Sequence, residues 1–202
     1  MASIARYDAA YFERWYRDPA HRVSTPASAE RKARLAVAVA EYYLERPVRT
    51  VLDVGCGEGQ WAPVLQKLRP GVEYRGVDAS AYAVRKWGKR RNLMLGTFGE
   101  LPGLLDATRY DLVICSDMLY YVAAKELQAG LAAIAARLDG VAFLEAYTRD
   151  DAIEGDTRTW EPRDAAAWKR IFRAHGLIAC GPHCYVGPAL APMVMTFERG
   201  AV

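Results

Sequence analysis

Short runs of consecutive apolar residues alternate along the chain with longer segments in which apolar positions recur every three or four residues. The short runs are typical of buried strands and the longer segments of amphipathic helices. Strands are predicted at residues 50–54, 73–77, 92–95, 111–115 and 141–145, and helices at 60–68, 80–89, 123–138 and 164–175. Strands separated by helices predict a parallel sheet with helices on both faces, the doubly wound α/β fold class.

The ends of this pattern differ from its middle. A helix is predicted at residues 27–45, where Leu35, Val39, Tyr42 and Tyr43 recur at helical spacing and Pro47 stops the pattern. Near the C-terminus, strands are predicted at residues 177–185 and 193–197. The connector between them, residues 186–192, is so short that the two strands must pair antiparallel.

Ahead of the first helix, aromatic residues recur at helical spacing outside the sheet pattern: Tyr7, Tyr11, Phe12, Trp15 and Tyr16. We interpret residues 1–26 as a lid that closes over a ligand. The full length of 202 residues suits one α/β domain and leaves little room for a second one. We therefore expect a single domain over residues 27–202.

The first strand runs into a glycine-rich turn, Asp53-Val54-Gly55-Cys56-Gly57-Glu58-Gly59. In an open parallel sheet, ligands collect beyond the carboxyl ends of the strands where the strand order reverses, and glycine lets the backbone approach them closely. The second strand ends in Asp78, at the spacing typical of a carboxylate that accepts ribose hydroxyls. The two signals together predict a nucleoside-containing cofactor.

Four segments resemble successive motifs of the class I S-adenosylmethionine-dependent methyltransferases. They are Leu52 to Gly59, Gly76 to Ser80, Leu101-Pro102 and Asp111 to Leu119. Within that family, the stretch from Cys115 to Tyr121 resembles the small-molecule branch that includes the N-methyltransferase NodS. The resemblance implies a Rossmann-like, mostly parallel seven-stranded sheet with an antiparallel C-terminal strand. It also implies S-adenosylmethionine as cofactor and S-adenosylhomocysteine as product.

The resemblance implies roles for residues at the ends of the strands. Gly55, Cys56, Gly57 and Gly59 would wrap the methionine part of the cofactor, with Asp53 oriented toward its amino group. Asp78 would hold the ribose and Ala79 would pack on adenine. Thr97 stands where the family has an acid that accepts a hydrogen bond from the adenine amino group. The backbone amide of Phe98 is a candidate donor to the adenine ring. Ser116 and Asp117 would lie beside the methionine moiety.

Three residues are candidates for the methyl-transfer step. Tyr120 and Tyr121 replace the Glu-His pair usual in the family, and their rings can either face the sulfonium or pack a helix against the sheet. His183 suits proton transfer near neutral pH, although a lone histidine is more often structural. The acceptor is expected to be a small molecule methylated on nitrogen or oxygen.

The charge and composition of the chain limit the kinds of partner that we expect it to bind. The net charge of +3 is small, and its clearest basic cluster, residues 85–91, ends a predicted helix, so we expect no nucleic-acid partner. No apolar run reaches the length of a membrane span and the N-terminus lacks a signal-peptide pattern, so we expect a cytoplasmic protein with no membrane partner. We also expect it to be a monomer or a homodimer. The cysteines suit buried thiols, and we expect no metal site.

Two other functions stay open at this point. A nicotinamide-dependent oxidoreductase also uses a glycine turn and a distant acid, and Tyr121 with Lys125 matches the Tyr-x-x-x-Lys spacing of short-chain dehydrogenases. Against it, the early Thr-Gly phosphate loop of those enzymes is missing. A non-catalytic protein that keeps the cofactor fold is the second alternative.

Overall fold

The computed structural model describes residues 7–152 and 155–198. Residues 1–6 of the predicted lid and residues 153, 154 and 199–202 of the predicted domain lie outside the described residues. Seven strands form one sheet: β1 (Thr50–Val54), β2 (Glu73–Asp78), β3 (Leu93–Leu95), β4 (Tyr110–Cys115), β5 (Leu138–Leu144), β6 (Ile178–Gly181) and β7 (Cys184–Val186). Their order in the sheet is β3-β2-β1-β4-β5-β7-β6.

Strands β1 to β5 pair parallel, and β7 pairs antiparallel with both β5 and β6. The fold class is therefore confirmed as a Rossmann-like, mostly parallel seven-stranded sheet with one antiparallel strand near the C-terminus. The order runs outward from β1 in one direction and from β4 in the other. This reversal between β1 and β4 creates the crevice at their carboxyl ends.

Seven α-helices flank this sheet within the described residues: α1 (Ala9–Phe12), α2 (Pro26–Leu44), α3 (Trp61–Leu68), α4 (Ala81–Arg91), α5 (Leu101–Leu104), α6 (Ala124–Arg137) and α7 (Ala165–Ala174). Short polar side chains cap several of them. Thr25 accepts a hydrogen bond from the Ser28 amide at the start of α2, and Asp164 accepts one from the Ala167 amide at the start of α7. These caps satisfy amides that the first helical turn leaves without a partner.

The central strands divide their apolar side chains between two cores. Alternate residues of β4 point to opposite faces, so Val113 and Cys115 join one cluster while Leu112 and Ile114 join the other. Helices α5, α6 and α7 cover the first face, and α2 and α3 cover the second. This explains why the β4 sequence is apolar on successive positions.

Helix α2 was predicted almost at its observed bounds, but its buried face differs from the one that the aromatic spacing indicates. Tyr43 is 3% exposed, whereas Tyr42 is 72% exposed. The buried stripe consists mainly of small residues, Ala33, Ala36 and Ala40. Alanines let the helix lie close to the sheet, and a search for large apolar residues overlooks them.

The predicted strand pair at the C-terminus is wrong in position. The antiparallel strands are β6, which lies inside the predicted strand 177–185, and β7, which begins inside it and ends one residue beyond; Pro182 and His183 join the two. Residues 193–197 form no strand, and Val194 is their one buried member. Proline cannot donate to a sheet ladder, so Pro182 was the signal for a turn within the predicted strand.

The described residues also bear on membranes and metals. None of their helices combines the length and apolar character needed to cross a bilayer. Within the same residues, no three His, Cys, Asp or Glu side chains come together as metal ligands would.

Candidate functional site

The carboxyl ends of β1, β2 and β4 meet at a cavity of about 880 Å³, part of which is open to solvent. Its walls come from four places: the glycine turn after β1, the end of β2, the segment after β3 and the segment after β4. The N-terminal aromatic segment forms a further wall.

The glycine turn is held in place by β2. The amides of Gly55 and Cys56 donate to the Val77 carbonyl at 2.8 and 3.2 Å. Gly55 and Gly57 both line the cavity, with φ of 70° and 55°, a region that residues with a side chain rarely adopt. A Cβ atom on Gly55 would lie 2.6 Å from Cγ of Met118, so the cavity needs bare backbone at this point.

Asp78 ties the glycine turn to the end of β2. Its Oδ2 accepts a hydrogen bond from the Gly57 amide at 2.6 Å, and its Oδ1 accepts one from the Ser80 amide at 2.8 Å. Burial raises the pKa of Asp78, and the two amide donors act in the opposite direction. Asp78 and Ala79 both line the cavity.

The segment after β3 supplies Thr97 and Phe98, which also line the cavity. Thr97 and Glu100 form a capping box that fixes the turn of residues 98–100, with the Thr97 amide donating to Glu100 Oε2 at 2.8 Å. Phe98 is buried and packs against Gly130 of α6. Glu100 is therefore a capping residue of this turn.

After β4, Asp117 lies in the left-handed region of the backbone, with φ of 60°, and lines the cavity. Its carboxylate accepts a short hydrogen bond from the Tyr120 hydroxyl. Burial raises the pKa of Asp117 to about 6, although the Tyr120 hydroxyl lowers it. Tyr121 lines the cavity, whereas Tyr120 is buried behind it with ring centroids 4.4 Å apart.

The N-terminal segment places Tyr7, Tyr11, Phe12 and Tyr16 on the cavity wall. Long-range hydrogen bonds and ion pairs hold it there. The Ser80 hydroxyl donates to the Tyr7 carbonyl at 2.5 Å, and Arg17 Nη2 lies 2.6 Å from both carboxylate oxygens of Glu58. The sequence indicated the aromatic residues but not the contacts of Arg17 and Ser80, which join positions far apart in the chain.

Several predicted site residues do not line this cavity. Asp53 is buried under the sheet end, where the Tyr74 hydroxyl donates to it at 2.7 Å, and burial raises the pKa of Asp53 to about 7. The Cys56 thiol and Gly59 face the core around Leu93. The Ser116 hydroxyl donates to Glu145 at 2.7 Å.

His183 occupies the turn between β6 and β7, with φ of 57°, and is exposed. Its carbonyl accepts a hydrogen bond from the Leu144 amide at 2.7 Å, and its ring lies 5.6 Å from the ring of Phe143. The structure thus places this histidine at the edge of the sheet and outside the cavity lining.

A buried charge cluster lies beside Asp117, and its pairing of Glu145 with Lys32 was not predicted from the sequence. Glu145, which follows β5, is 4% exposed, and Lys32 of α2 donates to its Oε2 at 2.7 Å. The Ser116 hydroxyl donates to the same oxygen. Lys32 sits on the otherwise apolar side of α2, and a lysine in that position was the available signal.

The sequence of residues 13–180 matches a family model described as a methyltransferase domain. This chain belongs to that family. The match confirms the resemblance to class I methyltransferases that the glycine turn and Asp78 indicated. No protein with a curated description matches the methyltransferase sequence.

Solved structures share the methyltransferase fold at low sequence identity. An S-adenosylmethionine-dependent methyltransferase from Archaeoglobus fulgidus has a TM-score of 0.63 and 18% identity, over 83% of this chain and 73% of its own. DesVI from Streptomyces venezuelae has a TM-score of 0.57 and 18% identity, over 80% and 91%. Magnesium protoporphyrin IX methyltransferase from Synechocystis PCC 6803, with S-adenosylhomocysteine bound, has a TM-score of 0.55 and 21% identity. The match covers 86% of this chain and 87% of its own.

Proposed function

We propose that this chain is an S-adenosylmethionine-dependent methyltransferase that transfers a methyl group to a nitrogen or oxygen of a small-molecule acceptor. The observation that carries the proposal is the cavity at the reversal point of the sheet, where the bare backbone of Gly55 and Gly57 meets the buried carboxylate of Asp78. Membership of the methyltransferase family supports the reaction class.

The residues present fit an adenosyl group. Each oxygen of the Asp78 carboxylate accepts one backbone amide, and a carboxylate oxygen can accept a second donor, so both ribose hydroxyls can be held. Thr97 and the Phe98 backbone lie next to this end of the cavity and are proposed to face adenine together with Ala79. At the other end, Gly55, Gly57 and Asp117 are proposed to enclose the methionine part.

The predicted residues outside the cavity lining are proposed to act indirectly. Asp53 and Cys56 pack beneath the glycine turn, and Gly59 lets the turn approach Leu93 and Arg91. Ser116 holds Glu145 beside Asp117. The proposed mechanism does not use His183.

S-adenosylmethionine supplies a methyl group on a positively charged sulfur, which is an activated leaving group. The task of the protein is therefore to align the attacking atom and to exclude water. The electron-rich rings of Tyr11, Tyr16 and Tyr121 line the cavity. Such rings stabilise a nearby cation by about 0.5 to 2 kcal/mol each when desolvated.

The oxidoreductase alternative loses its strongest support in the structure. Tyr121 lines the cavity, but Lys125 is exposed on α6 and is not among the lining residues. The Tyr-x-x-x-Lys spacing therefore does not bring the two side chains to one site. An assay of methyl transfer distinguishes the proposed enzyme from a non-catalytic protein that only binds the cofactor.

Calorimetric titration of the protein with S-adenosylmethionine and with NAD tests the cofactor. We expect binding of the former and none of the latter; tight NAD binding without S-adenosylmethionine binding would reverse the assignment. Incubation with methyl-labelled cofactor and a metabolite extract, followed by mass spectrometry, tests turnover. Labelled products support an enzyme, and cofactor binding with no labelled product supports the non-catalytic alternative.

A further inference from the structure

A second, smaller cavity adjoins the cofactor cavity. The two share Tyr11, Tyr16, Asp117 and Tyr121 as a common wall. The remaining lining residues of the smaller cavity are Trp15, Val23, Tyr120, Gly155 and Asp156. The smaller cavity holds no more than about one water molecule, so a larger molecule that contacts this wall must bind on the side of the cofactor cavity.

We propose that the acceptor binds in the cofactor cavity against this common wall, and that it is a basic amine which Asp117 binds as an ammonium ion and then deprotonates for methylation on nitrogen. The inference rests on the proposed methyltransferase function and extends it to the substrate class. Three features carry it: the charge of the lining, the rings around Asp117 and the hydrogen bonds of that carboxylate.

The charge of the lining favours a cation. Among the described residues that line either cavity, none is Lys, Arg or His. Asp156 in the smaller cavity is paired with Arg158, whose side chain is 74% exposed, so this pair contributes little net charge. Asp117 forms no ion pair with the described residues, because the nearest lysine, Lys32, binds Glu145. An anionic acceptor would lose its hydration here and find no cation.

Aromatic rings enclose the same carboxylate. Tyr11 and Tyr16 lie 6.5 Å apart between ring centroids, and Tyr120 and Tyr121 lie 4.4 Å apart. Trp15 adds an indole to the wall of the smaller cavity. Aromatic rings beside a carboxylate form a usual setting for an ammonium ligand.

The surroundings that favour an ammonium ion disfavour a phenolate. Burial, followed by nearby acidic groups that include Asp117, raises the pKa of Tyr11 and Tyr16 well above that of free tyrosine. The pKa of Tyr121 is raised to about 12, again mainly by burial. A phenol acceptor in this place would meet the same opposition to losing its proton, whereas an ammonium ion beside a carboxylate gives a neutral pair on proton transfer.

The hydrogen bonds of Asp117 leave one oxygen of its carboxylate able to accept a hydrogen bond from an ammonium group. Its Oδ1 accepts from Tyr120, and this is the one hydrogen bond that Asp117 accepts through its side chain from the described residues. Its Oδ2 is thus available to an ammonium N–H.

In the proposed reaction, the proton passes from nitrogen to Asp117, and the nitrogen lone pair forms the bond to the methyl carbon. The carbon–sulfur bond breaks with its electron pair going to sulfur, which leaves an N-methylammonium ion and S-adenosylhomocysteine. Asp117 then returns its proton to solvent.

The titration of Asp117 reflects groups from every element around it. These are Tyr120 on its own turn, Tyr121, Lys32 of α2, Glu145 after β5, Tyr147, and Tyr11 and Tyr16 of the N-terminal segment. Because Asp117 must be ionised to accept a proton, kcat/KM for an amine should rise with pH through the pKa of about 6.

The variant Asp117→Asn tests the role of the carboxylate. Asparagine tolerates a φ of 60° and can still accept from Tyr120, so the fold should be kept. We expect kcat/KM for amines to fall about 10²- to 10⁴-fold near pH 7. The acidic limb of the pH profile should disappear, and activity should recover at high pH, where the amine is uncharged. Asp150→Asn, in an exposed loop, is the matched control.

The substrate class is tested with size-matched acceptors and methyl-labelled cofactor: 2-phenylethylamine, 4-ethylphenol and 3-phenylpropionate, together with a metabolite extract. N-methyl products support the proposal. O-methyl products, or no methylated amine from either source while calorimetry shows cofactor binding, would overturn the amine assignment alone. Absence of cofactor binding would instead overturn the proposed function. A pH profile unchanged in Asp117→Asn would remove the proton-acceptor role.

Discussion

Single residues in the cofactor cavity are constrained by contact and by backbone conformation at once. Gly57 has φ of 55°, and a Cβ atom there would lie 3.2 Å from Cε1 of Phe12 on the N-terminal segment. Asp53 illustrates a different constraint, because it is a carboxylate with 2% exposure and a single side-chain partner, Tyr74. Both residues carry consequences that can be measured separately from turnover.

Gly57→Ala should weaken S-adenosylmethionine binding more than it weakens folding. Gly71→Ala is the matched control, since Gly71 also has positive φ but a Cβ atom there would meet nothing within 4 Å. Both variants should lose about 1 to 2 kcal/mol of unfolding free energy through backbone strain. Gly57→Ala alone should lose tenfold or more in cofactor affinity, measured by calorimetry. Equal affinity in the two variants would contradict the placement of the cofactor.

Because Asp53 is buried, we expect the unfolding free energy of the ligand-free protein to depend on pH. The pKa of Asp53 is about 7 in the folded state against 3.8 for an unperturbed aspartate, so the folded state binds the proton more tightly. The stabilisation is complete below pH 3.8 and is lost as the pH rises to 7, at up to about 1.4 kcal/mol per pH unit.

Asp53→Asn should flatten this dependence, because asparagine cannot ionise and can still accept from Tyr74. Urea unfolding between pH 4 and pH 8 measures it, with Asp150→Asn at an exposed position for comparison. If the Asp53→Asn curve falls as steeply as that of the unchanged protein, another group governs the effect.

The residues predicted from sequence divide by the kind of signal they leave. Gly55, Gly57 and Asp78 were recognisable because a close backbone approach and a carboxylate after β2 impose local patterns, and the structure brings all three to the cavity. Arg17 could not be found in this way, and Lys32 left only its position on the apolar side of α2 as a signal. Their partners, Glu145 and Glu58, are distant in sequence and become neighbours only after the helices pack.

At the scale of elements, two contacts shape the cavity: the N-terminal segment over the glycine turn, and α6 against the turn of residues 98–100. The first depends on Arg17, whose partner Glu58 also receives Lys86 at 3.3 Å. The second depends on Gly130, where a Cβ atom would lie 2.2 Å from the ring of Phe98. The lid role of the N-terminal segment stays a prediction that the first contact makes testable.

Arg17→Ala should loosen the N-terminal segment. Chymotrypsin, which cuts after aromatic residues such as Tyr11 and Tyr16, should cleave this variant several-fold faster near its N-terminus. S-adenosylmethionine should slow the cleavage if the segment closes over it. Arg34→Ala removes an exposed ion pair of α2 and serves as the control. Unchanged cleavage in Arg17→Ala would show that this ion pair does not hold the segment.

Gly130→Ala should destabilise the fold although alanine favours a helix by about 0.5 to 1 kcal/mol. The added methyl group must displace Phe98, and overpacking of this kind costs about 1 to 3 kcal/mol. Because Phe98 lines the cavity, cofactor affinity should fall as well. Gly103→Ala in α5 meets no atom within 4 Å and should be neutral or stabilising in urea unfolding. A stabilised Gly130→Ala would refute the tight contact.

For the whole molecule, the alternation of strands and helices was enough to predict a doubly wound sheet, and the crevice between β1 and β4 follows from the order of the strands. The C-terminal pairing was predicted in type but misplaced, because the apolar run at residues 193–197 resembles a strand while Pro182 marks the turn that forms. The walls of the cavity come from segments that only the complete fold brings together.

The cavity between the glycine turn and Asp78 is proposed to bind S-adenosylmethionine, and calorimetric titration of the intact protein and of Asp78→Ala measures this binding. We expect one cofactor molecule bound per chain, and a loss of about 1 to 3 kcal/mol of binding free energy in the variant through the lost charged hydrogen bonds. Failure of the unchanged protein to bind S-adenosylmethionine, or undiminished affinity in Asp78→Ala, would contradict it.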